Sequence, residues 1–495
     1  MTDRLDLLIV NPVAAHGIYG ALGDELVAVE PPLWLRLIGG YVRDRGFSVR
    51  LVDAEATKEQ PDEVAALVAE LKPRLTAIVV FGHQPSASTQ QMFGARQVAQ
   101  AIRDADPEAV TIIVGGHVAA LPRRTLQEEP VTYACNGEGP LTILGLLQGR
   151  KDWNIPGLVW RDPAEGHVVS NPAAPLIEDL DKDLHGQVWD LLPMHLYRAH
   201  QWQCFGDLSK RQPYASIYTS LGCPFKCSFC CINAPFASSR YRTRSPKAVV
   251  DEIEMLFTKY GVETFKIVDE MFVLKESHYG AICGDLIARG LGDKINIWAY
   301  ARVDTVKPRA LELLRKSGVR WLALGIESGS EHVRDGADKG FGKRDITEVV
   351  RSIQSAGINV IANYIFGLPD DDVTTMQDTL DLALDLNTEF ANFYSAMAYP
   401  GSKLYDEAIE KGWTLPESWR GYSQHNADCR PLDTAHVSGA QVLGFRDHAF
   451  RAYFRSDRYQ EMVLAKFGRE TRDHVRLMLN YRLDRKLLQG EKVDA

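Results

Sequence analysis

A chain of 495 residues, 45% hydrophobic and 24% charged, has enough apolar content to bury the cores of several domains and too much to be disordered. Its net charge of -9 argues against a broad nucleic-acid surface, and no apolar run reaches the roughly 18 residues that a membrane-spanning helix needs. The apolar start at Leu5 to Val10 is too short for a signal peptide, and the 8 cysteines lack the regular framework of a disulfide scaffold, so the expected setting is the reducing cytoplasm.

Along the first 150 residues, short apolar runs alternate with helical periodicities. The runs are Leu5 to Val10, Val49 to Val52, Ala77 to Phe81, Thr111 to Val114 and Val131 to Ala134; the periodicities cover Leu33 to Arg45, Pro61 to Leu71 and Gln90 to Asp104. This alternation predicts an α/β fold, a doubly wound parallel sheet of Rossmann-like build over 1–150, with ligands beyond the carboxyl ends of the strands. Those ends carry Asn11, Gly82 and Ser86, Gly115-Gly116-His117 and Gly137-Glu138-Gly139, where glycines let backbone approach a bulky ligand. His16, His83 and His117 are expected to be ordinary loop histidines rather than metal ligands.

Residues 151–210 show few sustained periodicities and read as a linker that wraps the neighbouring domains. From 211 to 400 the alternation resumes, with strands expected at Ala215 to Ser220, Phe265 to Val268, Ile295 to Tyr300, Trp321 to Ile326, Ile358 to Phe366 and Phe390 to Ala396. The first intervening helix is punctuated by Ser245 as N-cap, Pro246 in its first turn and Gly261 after its end. Six strand-helix repeats predict a partial TIM-type (β/α)6 barrel with its chemistry at the strand carboxyl ends. Polar residues stand at those ends: Asp269-Glu270, Arg302 and Glu327-Ser328. The basic trio Arg240, Arg242 and Arg244 is expected to anchor an anionic cofactor or to lie solvated. The last segment, 401–495, is aromatic-rich and then helical, and its helix-spaced aromatics read as core.

The chemistry concentrates at Cys223, Cys227 and Cys230, spaced Cys-x-x-x-Cys-x-x-Cys on one short segment without a fourth cysteine at a matching interval. Structural zinc and electron-transfer clusters usually take four protein ligands, whereas three leave one iron of a four-iron cluster open to an exogenous molecule. A zinc loop completed by a distant cysteine is the alternative reading. Cys231, next to the third ligand, is expected to be a buried thiol.

The spacing, Phe229 before the third cysteine and the strand-like Ala215 to Ser220 upstream resemble the radical S-adenosylmethionine (SAM) enzymes. The resemblance implies a 4Fe-4S cluster whose open iron is chelated by SAM, and reductive cleavage of SAM to a 5'-deoxyadenosyl radical. It also implies SAM contacts from Phe229, Asp269, Glu270, Arg302, Glu327 and Ser328, and a carboxyl-terminal cap over the barrel mouth that sets Tyr422, Gln424 and His425 near a substrate. The glycine-rich amino-terminal unit in front of such a barrel, with Pro31-Pro32-Leu33 opening its first helix, is similar to the cobalamin-binding domain of the cobalamin-dependent members. By that resemblance Asn11, Gly82, Ser86, Gly115, Gly116, His117, Gly137, Glu138 and Gly139 hold cobalamin. The Asp-x-His-x-x-Gly motif that supplies a lower axial ligand elsewhere has Ala14 and Tyr19 at the matching places around His16, so cobalamin is expected without that histidine.

Together the resemblances imply a methyltransferase acting on an unactivated carbon of a small metabolite or natural-product precursor. Its implied reductant is flavodoxin or ferredoxin, and neither nucleic acid nor membrane is a partner. Rearrangement, cyclisation or ring contraction without methyl transfer is the alternative within the family, and an iron-sulfur electron-transfer or regulatory protein is the alternative outside it.

Overall fold

The computed structural model describes residues 4–13, 18, 27–82, 84 and 86–489. The amino-terminal strands form where the apolar runs predict them: β1 (Leu7–Asn11), β2 (Val49–Asp53), β3 (Leu75–Val79), β4 (Thr111–Val114) and β5 (Tyr133–Cys135). They pair in parallel in the order β2-β1-β3-β4-β5. Every residue of β1, β3 and β4 is buried, as expected for strands covered by helices on both faces.

The sheet continues beyond residue 150. Strands β6 (Leu158–Arg161) and β7 (Val168–Ser170) join its β5 edge antiparallel, within the segment expected to be a linker. Both are too short to show a period in sequence, and pairing with a preformed edge is what orders them. The rest of that segment packs as short helical turns between the domains. His16 and His83 lie outside the described residues.

The central sheet contains β8 (Tyr214–Ile217), followed in sequence by the small hairpin β9 (Ser220–Leu221) and β10 (Arg242–Thr243). The remaining barrel strands are β11 (Thr264–Ile267), β12 (Asn296–Arg302), β13 (Val319–Glu327), β14 (Asn359–Phe366) and β15 (Phe390–Ser395). All six barrel strands run parallel in sequence order from β8 to β15, an open (β/α)6 barrel. Helix Pro246–Tyr260 begins as its sequence dictates: the Ser245 side chain accepts from the Ala248 N–H, Pro246 occupies the first turn, and Gly261 closes it left-handed at φ 67°. Helices Gly439–Arg455 and Asp457–Met478 pack behind β15, so the carboxyl-terminal part is mainly helical.

One hydrophobic core runs through both sheets. Trp34 of the amino-terminal domain stacks on Phe81 with ring centroids 4.2 Å apart, and reaches Phe236 of the barrel at 6.2 Å. Buried ion pairs add a polar joint. Arg242 is paired with Glu138 at 2.5 Å, and Glu252 takes Arg244 at 2.6 Å and Arg36 at 3.4 Å. The basic trio therefore has another role than expected: Arg242 and Arg244 neutralise buried carboxylates, and Arg240 pairs with Glu178 at the surface. Their acidic partners lie far off in sequence or on a helix face, beyond the reach of local pattern.

Candidate active site

The three cysteines sit on the loop that leaves β9, between the two domains. Gly222 opens this loop at φ +84°, and a Cβ there would stand 2.1 Å from the Arg240 carbonyl oxygen, so only glycine fits. Gly222→Ala is expected to cost about 1–3 kcal/mol through backbone strain. It should also lower the iron bound per chain, read by denaturant titration and iron analysis side by side. Asn233 clamps the other end: its Nδ2 donates to the Cys223 carbonyl at 3.1 Å and its Oδ1 accepts from the Cys223 N–H at 3.4 Å.

Burial pushes the Cys223 thiol up to about 11 and the Cys230 thiol well above its ordinary range, so iron must displace protons from the loop as it binds. Among the described residues no three His, Cys, Asp or Glu side chains converge as ligands of one metal ion. Thiolates that each take a different iron of a four-iron cluster need not converge, and three cysteines on one short loop suit that donor set. Cys231 is a buried thiol, as its place in the sequence predicts, in a cluster with Met397, Tyr399, Tyr422 and Cys429, and it also borders a cavity lined by Trp34 and Glu270.

Arg302, at the end of β12, reaches the loop. Its Nη1 lies 3.6 Å from Cys227 Sγ, its Nε and Nη2 bond Asp304 at 2.9 and 3.1 Å, and its guanidinium covers the Phe225 ring at 4.0 Å. Glu327 ends β13 at φ +65°, a conformation unusual for a side-chain-bearing residue, and its carboxylate is bound by Lys339. Lys339 in turn lies 5.9 Å over the Phe229 ring. Cys227, Phe229, Arg302 and Glu327 thus come together at one rim.

Other expected SAM contacts are engaged within the fold. The Asp269 carboxylate accepts from the Thr219 N–H at 2.6 Å and from the Thr219 and Ser220 hydroxyls, fastening β11 to the start of the cluster loop. Ser328 is fully buried, its hydroxyl 3.1 Å from that of Thr379. Glu270 remains, with its side chain at the wall of a cavity between the domains. Burial in that recess raises its carboxyl from 4.5 to about 8. The folded state therefore keeps a proton that the unfolded chain loses, and the associated stability is present below about pH 4.5 and lost as pH rises towards 8. For the cofactor-free protein, Glu270→Gln is expected to raise the thermal midpoint at pH 8 and to leave it unchanged at pH 4.

The same recess, about 60 Å³, is lined from the amino-terminal side by Trp34, Phe81, Gly82, Gln84 and Gly116, and from the barrel side by Ser220, Leu221 and Glu270. Gln84 also borders a larger cavity of about 330 Å³ that extends into the barrel. Residues of the two strand-end rims therefore face each other across the recess. A Cβ on Gly116 would come no nearer than 3.5 Å to Ser88, and one on Gly137 no nearer than 3.9 Å to the Pro235 carbonyl, so both glycines leave room that a side chain would take. Such bare backbone fits a corrinoid, which is larger than the recess and needs part of the adjoining cavity.

Several expected cobalamin residues serve the scaffold instead. Asn11 donates to Asp53 at 2.7 Å, where Tyr197 also donates at 2.9 Å, and Glu138 is spent on Arg242. A Cβ on Gly115 would strike the Val80 carbonyl at 2.4 Å, and one on Gly139 would strike Val114 at 2.7 Å, so these two glycines permit close packing. His117 is buried between Thr89, 3.2 Å from its Nδ1, and the edge of Trp419. Burial, with Arg124 nearby, lowers its pKa to about 3, which makes it a neutral ring. Ser86 precedes helix Ala87–Ala105 without capping it. In the carboxyl-terminal part, Gln424 caps Ser395 of β15 through both its amide atoms and Tyr422 is core, whereas His425 lines the large cavity. Sequence reasoning missed Trp34, Gln84 and Ser220; Trp34 and Gln84 stand beside turn residues that had been singled out.

Residues 217–383 match the family model of the radical SAM superfamily, and residues 20–147 match that of the B12 binding domain. The chain belongs to the cobalamin-dependent radical SAM enzymes. Its cofactors are a 4Fe-4S cluster, SAM and cobalamin. This radical SAM enzyme is 27% identical over 424 residues to an uncharacterized methyltransferase of Pyrococcus horikoshii, covering 85% of this chain and 86% of the relative. It is 29% identical over 409 residues to the anaerobic magnesium-protoporphyrin IX monomethyl ester cyclase of Rubrivivax gelatinosus, covering 80% and 69%. Its fold is similar to that of the radical SAM methyltransferase TsrM from Kitasatospora setae, solved with cobalamin and a 4Fe-4S cluster bound. The TM-score is 0.66 at 20% identity, over 85% of this chain and 81% of that one. Among the described residues no helix is long and apolar enough to cross a membrane.

Proposed function

We propose that this enzyme transfers a methyl group to an unactivated carbon of a small metabolite or natural-product precursor. Bound between the domains, the cluster and SAM supply radical generation, and cobalamin supplies the methyl group. The observation that carries the reading is the recess bordered by Gly82 and Gly116 on one rim and by Ser220 and Glu270 on the other, with Gln84 lining both it and the barrel cavity. A substrate held there stands between both cofactors, and fixed orientation of that kind lowers a barrier by several kcal/mol.

In this reading Cys223, Cys227 and Cys230 hold the cluster. Phe229, Glu270, Arg302 and Glu327 border SAM, and Gly82, Ser86, Gly116 and Gly137 border cobalamin. The amino-terminal domain extends to about Ser170, where its sheet ends. The electron comes from a low-potential protein such as flavodoxin or ferredoxin, the setting is the cytoplasm, and neither nucleic acid nor membrane takes part.

Similarity to the cyclase of Rubrivivax gelatinosus favours a second reading, ring formation or rearrangement without methyl transfer. Product mass separates the two. With reduced, reconstituted enzyme, SAM and methylcobalamin, a gain of one methylene unit supports methylation, whereas turnover without that gain overturns it in favour of the second.

A further inference from the structure

The wall of the large cavity that belongs to helix Gly439–Arg455 differs from the others. Arg446, Asp447, Phe450 and Arg451 all border the cavity; at i, i+1, i+4 and i+5 they spread over an arc of about 140° of the helix. Arg446 is only 6% exposed. Its Nε donates to the Phe393 carbonyl at 2.8 Å and its Nη1 to Asp447 at 2.8 Å, whereas no described residue partners its Nη2. Arg451 is exposed at the same wall and makes no hydrogen bond or ion pair among the described residues.

Charge at this wall does not balance. Asp447 is the one carboxylate of the group, and Arg485 binds it through Nε at 2.9 Å and Nη2 at 2.9 Å. Burial pushes Asp447 up, but the bonds from Arg485 and the charge of Arg446 outweigh it and hold the carboxyl below its ordinary range. Arg446, Arg451 and Arg485 thus stand against a single anion. Elsewhere in the cavity, Lys266 is matched by Glu30 at 2.9 Å; Glu55 lies on the wall of the amino-terminal domain. Beside the arginines the lining is aromatic: Tyr300, Phe393, Tyr394 and Phe450.

We propose that this wall is the substrate-recognition site, and that the substrate is a flat, unsaturated molecule bearing a carboxylate, whose anion seats between Arg446 and Arg451 while its body lies against the aromatic side chains. A guanidinium buried in an apolar cavity with one edge unengaged binds a carboxylate strongly, because little water competes there. The inference rests on the proposed function only in calling the bound molecule the substrate.

The test is calorimetric titration of the anaerobic holoenzyme, with cluster and cobalamin in place, using 1-naphthaleneacetate and its neutral isostere 1-naphthaleneacetamide. The acid is expected to bind saturably and at least tenfold more tightly than the amide. Arg451→Gln should weaken the acid about tenfold and leave the amide unchanged. Arg446→Gln should do the same if it folds; Arg446 also holds the Phe393 carbonyl, so Arg451→Gln, free of any structural bond, carries the decision. Equal affinity for acid and amide, no saturable binding of either, or an unaltered acid affinity in Arg451→Gln overturns the proposal. These titrations need no turnover, so their failure is distinct from a failure to methylate, which product mass reads separately.

Discussion

Alanine at Cys223, Cys227 or Cys230 abolishes reductive cleavage of SAM, whereas alanine at Cys231 preserves it. In the proposed assignment each of the three thiolates holds its own iron, on a loop fixed at one end by Gly222 and tied across by Asn233, so no neighbouring side chain can substitute for a lost ligand. Formation of 5'-deoxyadenosine by dithionite-reduced protein is expected to fall by on the order of a thousandfold or more, equivalent to about 4 kcal/mol of barrier. Iron content falls with it. Cys231 is packed among Met397, Tyr399 and Tyr422, and its removal leaves a small cavity but an intact ligand set. Equal iron loading in the wild type and in all three ligand variants, or SAM cleavage that survives in them, would refute the assignment. An electron-transfer or regulatory protein predicts reversible reduction without any 5'-deoxyadenosine, so the same assay decides that alternative.

The site was legible in sequence where local chemistry alone dictates geometry. The six apolar runs of the barrel and the Ser245, Pro246 and Gly261 punctuation each act within a few residues, and each appears in the fold as read. Gly116 leaves room at its strand end, with Ser88 no nearer than 3.5 Å to an added Cβ, whereas Gly82, at φ +72°, would bring a Cβ within 2.5 Å of Ala87 and so permits close packing. Carboxylates were not legible. Asp269, Glu138 and Glu270 look alike in sequence, yet Thr219 and Ser220 saturate the first, Arg242 neutralises the second, and only the third faces the cavity. Their partners lie 49 to 104 residues away, so tertiary pairing decides which acid is free to bind a ligand. Asn11 and Gln424 have internal partners that no local pattern shows, because an amide that caps backbone or orders a neighbouring acid has the same sequence appearance as one that binds a ligand. The anion-binding wall of helix Gly439–Arg455 was hidden too: its arginines sit in an aromatic stripe that reads as core until Asp447 and Arg485 are seen to leave Arg446 in excess.

Glu252→Ala is expected to destabilise the protein more than any other single substitution at the domain joint, by about 3–5 kcal/mol. Arg36, Glu252 and Arg244 are all at or below 1% exposure. Arg36 also donates to the Ser216 carbonyl of β8 at 2.9 Å and stacks on Trp189 at 3.7 Å, and the Trp189 indole donates to Glu252 at 2.9 Å. Burial already lowers Arg36 to about 10, with Glu252 opposing the shift, so deleting that carboxylate leaves two guanidinium groups and an indole N–H without their anion. The exposed pair of Arg240 and Glu178, with side chains 56% and 59% accessible, is the control, and Glu178→Ala should cost about 0–1 kcal/mol. Denaturant titration of both variants checks the difference; comparable midpoints would mean that the buried triad contributes no more than a surface contact. Because Arg36 belongs to helix Leu33–Arg43 of the amino-terminal domain and Glu252 to helix Pro246–Tyr260 of the barrel, the loss also loosens the docking that brings the two strand-end rims face to face. Conditions mild enough to keep Glu252→Ala folded should therefore still show weakened corrinoid retention, measured as cobalt per chain after gel filtration, while Glu178→Ala retains its full complement.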